Sequence, residues 1–288
     1  MIPGIAGDPR VYLDGAYTPL SQAKVSVLDR GFIFGDGVYE VVPAYGGKPF
    51  RVDQHLARLG RSLGRLRIAP PMDDAGWRGL VAELIRTCDA PDCLVYLQVT
   101  RGVAHRDHAF PSPAVAPTVF AMATPFVRPG REARERGLSV ICIPDERWLH
   151  CDIKSVSLLG NVLARQQAAD AGADEVIQLR DGRVTEGASS NVWVVRDGRL
   201  LAPPRDHLIL EGIRYGLVAE LAAAADIPFE ARPIARDELA QAQEILLSSA
   251  TREILPVVRM DGEPVGDGLP GPVYARLRAG YDARIAAL

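Results

Sequence analysis

One lysine stands out for the chemistry it could do. Among 33 Lys and Arg residues only three are lysines: Lys24, Lys48 and Lys154. Where a plain positive charge is wanted, this chain nearly always uses Arg. A retained amine points to a task that guanidinium cannot perform, and losing a proton to become a nucleophile is the obvious one. Lys24 and Lys48 sit beside polar or turn residues and read as solvent-facing charges. Lys154 follows Trp148-Leu149-His150-Cys151-Asp152-Ile153 and precedes Ser155-Val156-Ser157-Leu158-Leu159, a mostly apolar stretch. Such a setting favours the neutral, nucleophilic amine. The residues alone leave two readings open, a surface lysine at a strand end and a reactive amine.

Two further stretches could do chemistry. Residues 101–111 (RGVAHRDHAFP) place two Arg and two His within a few positions. They are either a solvated loop or a carboxylate trap, because Arg binds a carboxylate through two parallel hydrogen bonds and His adds a donor. Glu186 is an isolated carboxylate before Gly187-Ala188-Ser189-Ser190-Asn191, small residues that break a hairpin; it is either a solvent-exposed hairpin Glu or a functional carboxylate. Cys88, Cys93, Cys142 and Cys151 form no CxxC pair, so reduced thiols in a cytoplasmic protein are expected. His105, His108, His150 and Cys151 have no metal-ligand spacing, and no metal is expected.

Those residues need elements to hold them. Over residues 10–52, apolar segments Val11–Leu13, Val25–Leu28, Val38–Tyr45 and Phe50–Val52 alternate with the turn pairs Asp14-Gly15 and Gly46-Gly47 and predict a β meander. Residues 29–40 (DRGFIFGDGVYE) interrupt it with three glycines, as a loop feeding a strand. Period two puts Tyr39 and Val41 on one strand face. Asp53 is the expected N-cap of a helix to Leu66 with Leu56, Leu59, Leu63 and Leu66 as its buried stripe and Arg58 at the stripe's border. A helix over 73–86 and strands over 93–100 and 118–123 complete an α+β domain. In the second half a strand over 138–143 precedes the Lys154 stretch, and Ser155 or Ser157 caps a helix through Ala169. Short strands follow over 175–179, 183–185, 192–195 and 199–201, with Asp181-Gly182 and Asp197-Gly198 as hairpin turns. A helix from Leu210 to about Ala225, strands over 245–249 and 254–260, and a helix over 272–287 end the chain. The domain boundaries expected are 1–124, a Pro-rich linker 125–130, and 131–288.

Composition bounds the partners. At 288 residues, 48% hydrophobic and 24% charged, the chain is an ordinary globular protein. A net charge of −3 leaves no footprint for nucleic acid or an acidic membrane surface. Met1-Ile2-Pro3-Gly4 does not resemble a signal peptide, and no apolar run reaches membrane-span length.

Taken together, the motifs carry a resemblance that covers essentially the whole chain. They are DRGFIFGDGVYEVV (29–42), QVTRG with Arg106-x-His108, RWLHCDIKS running on to Ala164, TEGASSNV (185–192) and LEGI (210–213). In their order and separation the chain resembles the fold-type-IV pyridoxal-phosphate enzymes, and most closely the bacterial D-amino-acid transaminases. The resemblance implies a smaller N-terminal α/β domain and a larger C-terminal domain with a β-barrel-like sheet core, an α+β fold overall. It implies pyridoxal 5'-phosphate as cofactor and Lys154 as its Schiff-base lysine and later acid–base. Glu186 would face the pyridine nitrogen and keep it protonated. Arg58 would pair with the phosphate, and the backbone N–H groups of Ile213 and Arg214 would present a helix N-terminus to it. Ser189, Leu210, Ser249, Ala250 and Thr251 fall at the family's remaining cofactor-binding positions.

Substrate residues follow from the same resemblance. Tyr39, Arg106 and His108 match the carboxylate-binding set of the D-amino-acid enzymes, and Val41 lies beside Tyr39 in the substrate-binding group. The implied reaction moves an amino group between a D-amino acid and a 2-oxo acid, in a ping-pong cycle through pyridoxamine phosphate. Branched-chain L-transaminases, R-selective amine transaminases and aminodeoxychorismate lyase share the fold and remain alternatives. A homodimer is also implied. Two positions depart from the family pattern: Arg214 stands where Thr is common, and Ala250 where a second Thr is common. Arg214 either substitutes for the missing hydroxyl with its charge or points away.

Overall fold

Strict alternation sets the first sheet. In the computed structural model, which describes Ile5 and residues 7–288, Val38, Glu40, Val42 and Ala44 are fully buried while Tyr39 and Val41 between them are half-buried. The expectation about Met1-Ile2-Pro3-Gly4 lies outside the described residues. Contacts divide the chain into two compact units, Met1–Val127 with Ile153–Leu158 and Leu288, and Arg128–Asp152 with Leu159–Ala287.

In the first unit β1 (Arg10–Leu13), β2 (Ala16–Pro19), α1 (Arg30–Phe34), β3 (Gly37–Tyr45) and β4 (Lys48–Pro49) precede α2 (Val52–Leu66) and α3 (Asp74–Arg86). Strands β5 (Cys93–Thr100) and β6 (Thr118–Pro125) then complete a six-stranded sheet in the order β2-β1-β6-β5-β3-β4. Leu56, Leu59 and Leu63 of α2 and Trp77, Leu80, Val81 and Leu84 of α3 pack with Val38, Val42, Val95, Leu97 and Val99 in one core. Burying apolar area of this kind stabilises by about 25 cal/mol per Å².

Several local expectations are corrected here. Val25–Leu28 forms no strand, and Val25, Val27 and Leu28 are exposed. Residues 29–36 are not a plain loop: Asp29 accepts from the N–H of Gly31 and caps α1. Phe50–Val52 is not a strand, because Arg51 takes a left-handed conformation (φ 57°) and Val52 already opens α2. Arg51, not Asp53, is therefore the N-cap of α2, and Asp53 sits in its first turn.

The second unit begins with α4 (Arg131–Arg136), β7 (Leu138–Pro144), α5 (Leu159–Asp170), β8 (Glu175–Arg180) and β9 (Arg183–Val184). Strands β10 (Asn191–Arg196) and β11 (Arg199–Ala202), helix α6 (Ile213–Ala224), β12 (Phe229–Ala231) and α7 (Arg236–Ala240) follow. The last elements are β13 (Glu244–Ser249), β14 (Glu253–Met260), β15 (Glu263–Pro264) and α8 (Pro272–Ala286). Nine strands form one sheet along the path β12-β11-β10-β13-β14-β7-β8-β9, with β15 on β14. Its two edges nearly meet, because Val184 of β9 donates to Ile234 O, three residues past the end of β12 (2.9 Å). The sheet therefore curls towards a barrel, as a twisted sheet of many strands does. Asp181-Gly182 and Asp197-Gly198 take positive φ at both residues, the turn geometry that matches strand twist in a hairpin.

Among the described residues no helix is long and apolar enough to cross a membrane. Among the same residues, no group of three or more His, Cys, Asp and Glu is placed to hold a metal ion.

Trp193 of β10 is the largest fully buried side chain among the described residues. It packs on Tyr215 (4.8 Å between centroids) and Phe229 (5.9 Å), and its Nε1–H donates to Ser248 Oγ (2.9 Å). Trp193→Ala is expected to cost about 3–5 kcal/mol through the cavity it leaves. Trp193→Phe keeps most of the packing and should cost clearly less. Urea denaturation of both variants checks this, and equal losses would contradict it.

Candidate active site

The backbone around Lys154 is folded as an extra strand edge. Ser155 bridges Val38, the Tyr39 N–H donates to Lys154 O (3.0 Å), and the Val156 N–H donates to Gly37 O (3.0 Å). The Lys154 N–H reaches Ser62 Oγ on α2 (3.3 Å), and Ile153 is buried in the first unit's core. Ser157 Oγ donates to Gly35 O (2.9 Å). Gly35 has φ 67°, and a Cβ there would come within 2.5 Å of Ser157 Oγ, so the close approach requires glycine. These bonds explain why α5 opens at Leu159 rather than at Ser155 or Ser157: both serines are committed to β3 and its approach. They also place Lys154 in the first unit, whereas the sequence alone puts it with residues 131–288.

The Lys154 Nζ stands over the ring of Tyr39, 4.0 Å from its centroid. Tyr39 in turn stacks on Tyr96 (5.7 Å between centroids). Register pairs Tyr39 with Gln98 and Val41 with Tyr96, and Tyr96 donates to Gln98 Oε1 (2.7 Å). Burial, with Tyr39 nearby, pushes the Tyr96 hydroxyl up to about 12. Lys154, Tyr39, Val41 and Tyr96 thus share one half-buried region, with an amine over an aromatic face.

The opposite face of β3 carries a buried ion cluster. Glu40 is fully buried and accepts from Arg58 Nε (2.7 Å) and Nη2 (2.9 Å), both from α2, and bonds His55 Nδ1 (2.7 Å). Burial alone would push the Glu40 carboxyl up, but Arg58 and His55 outweigh it and hold it well below its ordinary range. Arg58 is thus buried and held by two of its nitrogens, not left at a helix border.

Arg106 and His108 form a second group of the first unit. Both are exposed, and both lie against Phe34: Arg106 Cζ is 5.4 Å from the ring centroid and the His108 ring is 5.4 Å away.

The second unit supplies a carboxylate and an anion cup. Glu186 is buried, with Arg147 donating to its Oε1 and the Leu210 N–H to its Oε2 (3.0 Å). Burial pushes the Glu186 carboxyl above its usual value, against the pull of Arg147. Asp145 holds Arg147 through Nη2 (2.8 Å) and also accepts from Thr185 Oγ1 (2.8 Å). Asn191 Nδ2 donates to Leu210 O (2.8 Å). With its N–H and carbonyl both taken, Leu210 does not start a helix, and α6 opens at Ile213.

Gly212 caps α6 without a side-chain hydrogen bond, and a Cβ there would strike Asn191 Oδ1. This helix end therefore presents backbone N–H groups and no side chain of its own, a ready anion site. The Arg214 side chain turns inward and donates through Nε to Tyr281 of α8 (3.2 Å). Arg214 is 2% exposed and is tied to α8 by this bond. At the end of β13, Ser249 Oγ lies 3.4 Å from Thr251 Oγ1 and accepts from the Arg252 N–H (3.0 Å). Exposed Ser189 donates to Glu175 Oε2 (3.3 Å).

Each unit, taken by itself, carries groups whose chemistry fits part of pyridoxal phosphate: the first an amine suited to an aldehyde, the second a buried carboxylate suited to a ring nitrogen and an uncapped helix N-terminus with nearby hydroxyls suited to a phosphate. Reasoning from sequence missed Arg147, Asp145, Asn191, Glu40 and His55. Arg147 opens the RWLHCDIKS motif, Glu40 lies in DRGFIFGDGVYEVV and Asn191 in TEGASSNV, whereas Asp145 and His55 lie in none of these motifs.

Comparison with known proteins gives a consistent result. The profile of amino-transferase class IV matches residues 37–260. The chain is 41% identical to a D-alanine aminotransferase of Staphylococcus haemolyticus over 96% of its own length and 98% of that protein's. It is 40% identical to a D-alanine aminotransferase of Bacillus licheniformis, over 92% and 93% of the two chains. Among solved structures, a branched-chain amino acid aminotransferase of Escherichia coli superposes with a TM-score of 0.90 at 25% identity, covering 96% of this chain and 94% of that one. A branched-chain amino acid aminotransferase of T.th., solved with pyridoxamine 5'-phosphate, gives 0.88 at 28% identity, covering 98% and 95%.

The Glu40 cluster generates a pH prediction. A carboxyl whose folded pKa is depressed adds stability above its ordinary value, here 4.5, and loses that contribution as pH falls below it. Glu40→Gln leaves Arg58 without its carboxylate and should lower stability at pH 7 by about 3–5 kcal/mol. The gap to the parent should narrow steadily below pH 4.5. Urea midpoints across that range check it, and a gap that does not change with pH would contradict it.

Proposed function

Because the chain belongs to the class IV amino-transferase family, we propose that it transfers an amino group between a D-amino acid, such as D-alanine or D-glutamate, and a 2-oxo acid. The observation that carries this reading is the Lys154 amine held over Tyr39 by the pairing of its segment with β3. Pyridoxal phosphate, when bound, supplies the electron sink that makes the substrate Cα–H acidic. Lys154 would hold the cofactor through its amine, and the same amine is the group placed to take the substrate Cα proton. Glu186 would hold a proton at the ring nitrogen, and its buried contact with Arg147 fixes the carboxylate in place. The N–H groups of Ile213 and Arg214 and the turn Ser249-Ala250-Thr251 would hold the phosphate, and Arg58, already bonded to Glu40 through Nε and Nη2, would add its positive charge there, with Ser189 and Leu210 bordering the ring's site.

Tyr39, Arg106 and His108 bind the substrate carboxylate, and Val41 lines the space beside it. Retention of Arg106-x-His108 favours amino acids over plain amines. The D-series is further supported by relatives near 40% identity named for D-alanine. The solved branched-chain enzymes are 25–28% identical, which makes L-leucine the competing donor to test.

The chain acts as a homodimer in this reading. In its support, Leu159, Val162 and Leu163 lie exposed on α5 at i, i+3, i+4 spacing, and Val27, Leu28 and Phe32 are exposed around the start of α1. Apolar groupings of this kind mark contact surfaces. The free state of Cys88, Cys93, Cys142 and Cys151 supports a cytoplasmic setting.

The test is donor competition on purified protein with 2-oxoglutarate. D-Alanine should be consumed, with pyruvate formed, at least about tenfold faster than L-leucine. Lys154→Ala should lower the rate by about a thousandfold or more, the scale of a lost positioned acid–base. Preferential use of L-leucine would overturn the D-series assignment.

A further inference from the structure

The reading of Arg106 and His108 as carboxylate ligands leaves a physical question. Both side chains are exposed on a loop, and an exposed loop held only by itself loses entropy each time it must adopt one shape. The structure shows what holds it. Arg30, the first residue of α1, is 4% exposed. Its Nη1 donates to Asp107 O (2.5 Å) and Ala109 O (3.3 Å), and its Nη2 to His108 O (3.4 Å). Three successive carbonyls of the loop converge on one guanidinium. The Arg30 backbone N–H also donates to Gly102 O (2.9 Å), where the loop departs from β5.

Arg30 is itself held. Its Nε donates to Asp36 Oδ2 (2.8 Å). Asp36 also accepts from Arg101 Nε (2.7 Å) and Nη2 (2.9 Å). Arg101 in turn donates to Leu66 O (2.8 Å) and Arg67 O (3.4 Å), at the C-terminal end of α2. The clamp is thus tied through Asp36 to a rigid helix of the core. One turn along α1, Phe34 lies against Arg30 (4.9 Å from Cζ to centroid) as well as against Arg106 and His108. One short helix grips the loop's backbone with Arg30 and supports its two functional side chains with Phe34.

We infer that Arg30, with Phe34, is a positioning residue for substrate carboxylate recognition, fixing the loop that presents Arg106 and His108. This rests on the proposed role of those two residues. Lysine cannot replace Arg30 in this role, because a single ammonium cannot spread donors over Asp36 and three carbonyls at once. Arg30 acts through the loop backbone and Phe34 through the Arg106 and His108 side chains, so their effect falls on substrate affinity rather than on the chemical step.

The test is a double-mutant cycle on the holoenzyme, with D-alanine as varied donor and kcat and KM measured separately. Arg30→Lys should raise KM about ten- to a hundredfold, the scale of a small misplacement of a binding group. Its kcat and its cofactor absorbance should stay within about twofold of the parent, because the chemistry at Lys154 is not disturbed. Arg106→Gln should raise KM as well, and Arg30→Lys/Arg106→Gln should be no worse than Arg106→Gln alone, since two residues acting through one contact are not additive. Multiplicative effects, or an unchanged KM in Arg30→Lys while Arg106→Gln raises it, would overturn the inference and leave the carboxylate role standing. An unchanged KM in Arg106→Gln would overturn the carboxylate role itself. If Arg30→Lys loses its cooperative thermal transition, Phe34→Leu takes its place in the same cycle. A Phe34→Leu KM equal to the parent's would then refute the inference.

Discussion

The pairing of residues 153–156 with the start of β3 is the constraint on which the rest depends. Two backbone hydrogen bonds and the Ser155–Val38 bridge turn an irregular connection into a strand edge. With Ile153 buried behind it, Lys154 has little backbone freedom left. A flexible four-carbon side chain thereby becomes a positioned amine. The requirement propagates outwards: Gly35 must be glycine to admit Ser157, and α5 cannot start until both serines are passed. In the proposed reaction such prior positioning of the amine is where much of the rate advantage would originate.

Charge is handled by the same rule at several buried sites. Glu40, Asp36, Glu186 and Glu253 are each buried or nearly so, and each faces at least one arginine. A buried carboxylate without a partner would be costly, and a planar guanidinium meets it with several donors in fixed directions. At each of these sites the partner is Arg rather than Lys. In the first unit the pairs sort by task. Glu40 with His55 and Arg58 joins α2 to β3, while Asp36 with Arg30 and Arg101 joins the end of α2 to a surface loop. In the second unit Asp145 holds Arg147, and Arg147 in turn donates to the buried Glu186 carboxylate.

Much of this was legible from local pattern. The alternation in Val38–Tyr45 and Cys93–Thr100, the leucine stripe of α2 and the Asp-Gly hairpins each leave a signature within a few residues, and the corresponding elements form. The rarity of lysine singled out Lys154 but left a surface lysine and a reactive amine equally open, and its proposed role rests on the whole-chain motif order. What was not legible is long-range. Arg30 meets Asp107 across 77 positions and Arg147 meets Glu186 across 39, and no local spacing encodes such a contact. The start of α5 and of α6 could not be placed for the same reason, since tertiary hydrogen bonds to Ser155, Ser157 and Leu210 overrode the capping signals. The inward turn of Arg214 depends on Tyr281, at the far end of the chain. Val25–Leu28 misled because a short apolar run fits a strand and an exposed contact surface equally well.

The central claim is that Lys154, and neither of the other two lysines, carries the cofactor. Borohydride reduction of the purified yellow holoenzyme, followed by proteolysis and peptide mass mapping, tests it most directly. The account predicts that the added mass of the reduced cofactor appears on the peptide containing Lys154 and that Lys154→Ala protein takes up none. Modification of Lys24 or Lys48 instead, or equal labelling of the Lys154→Ala protein, would contradict it.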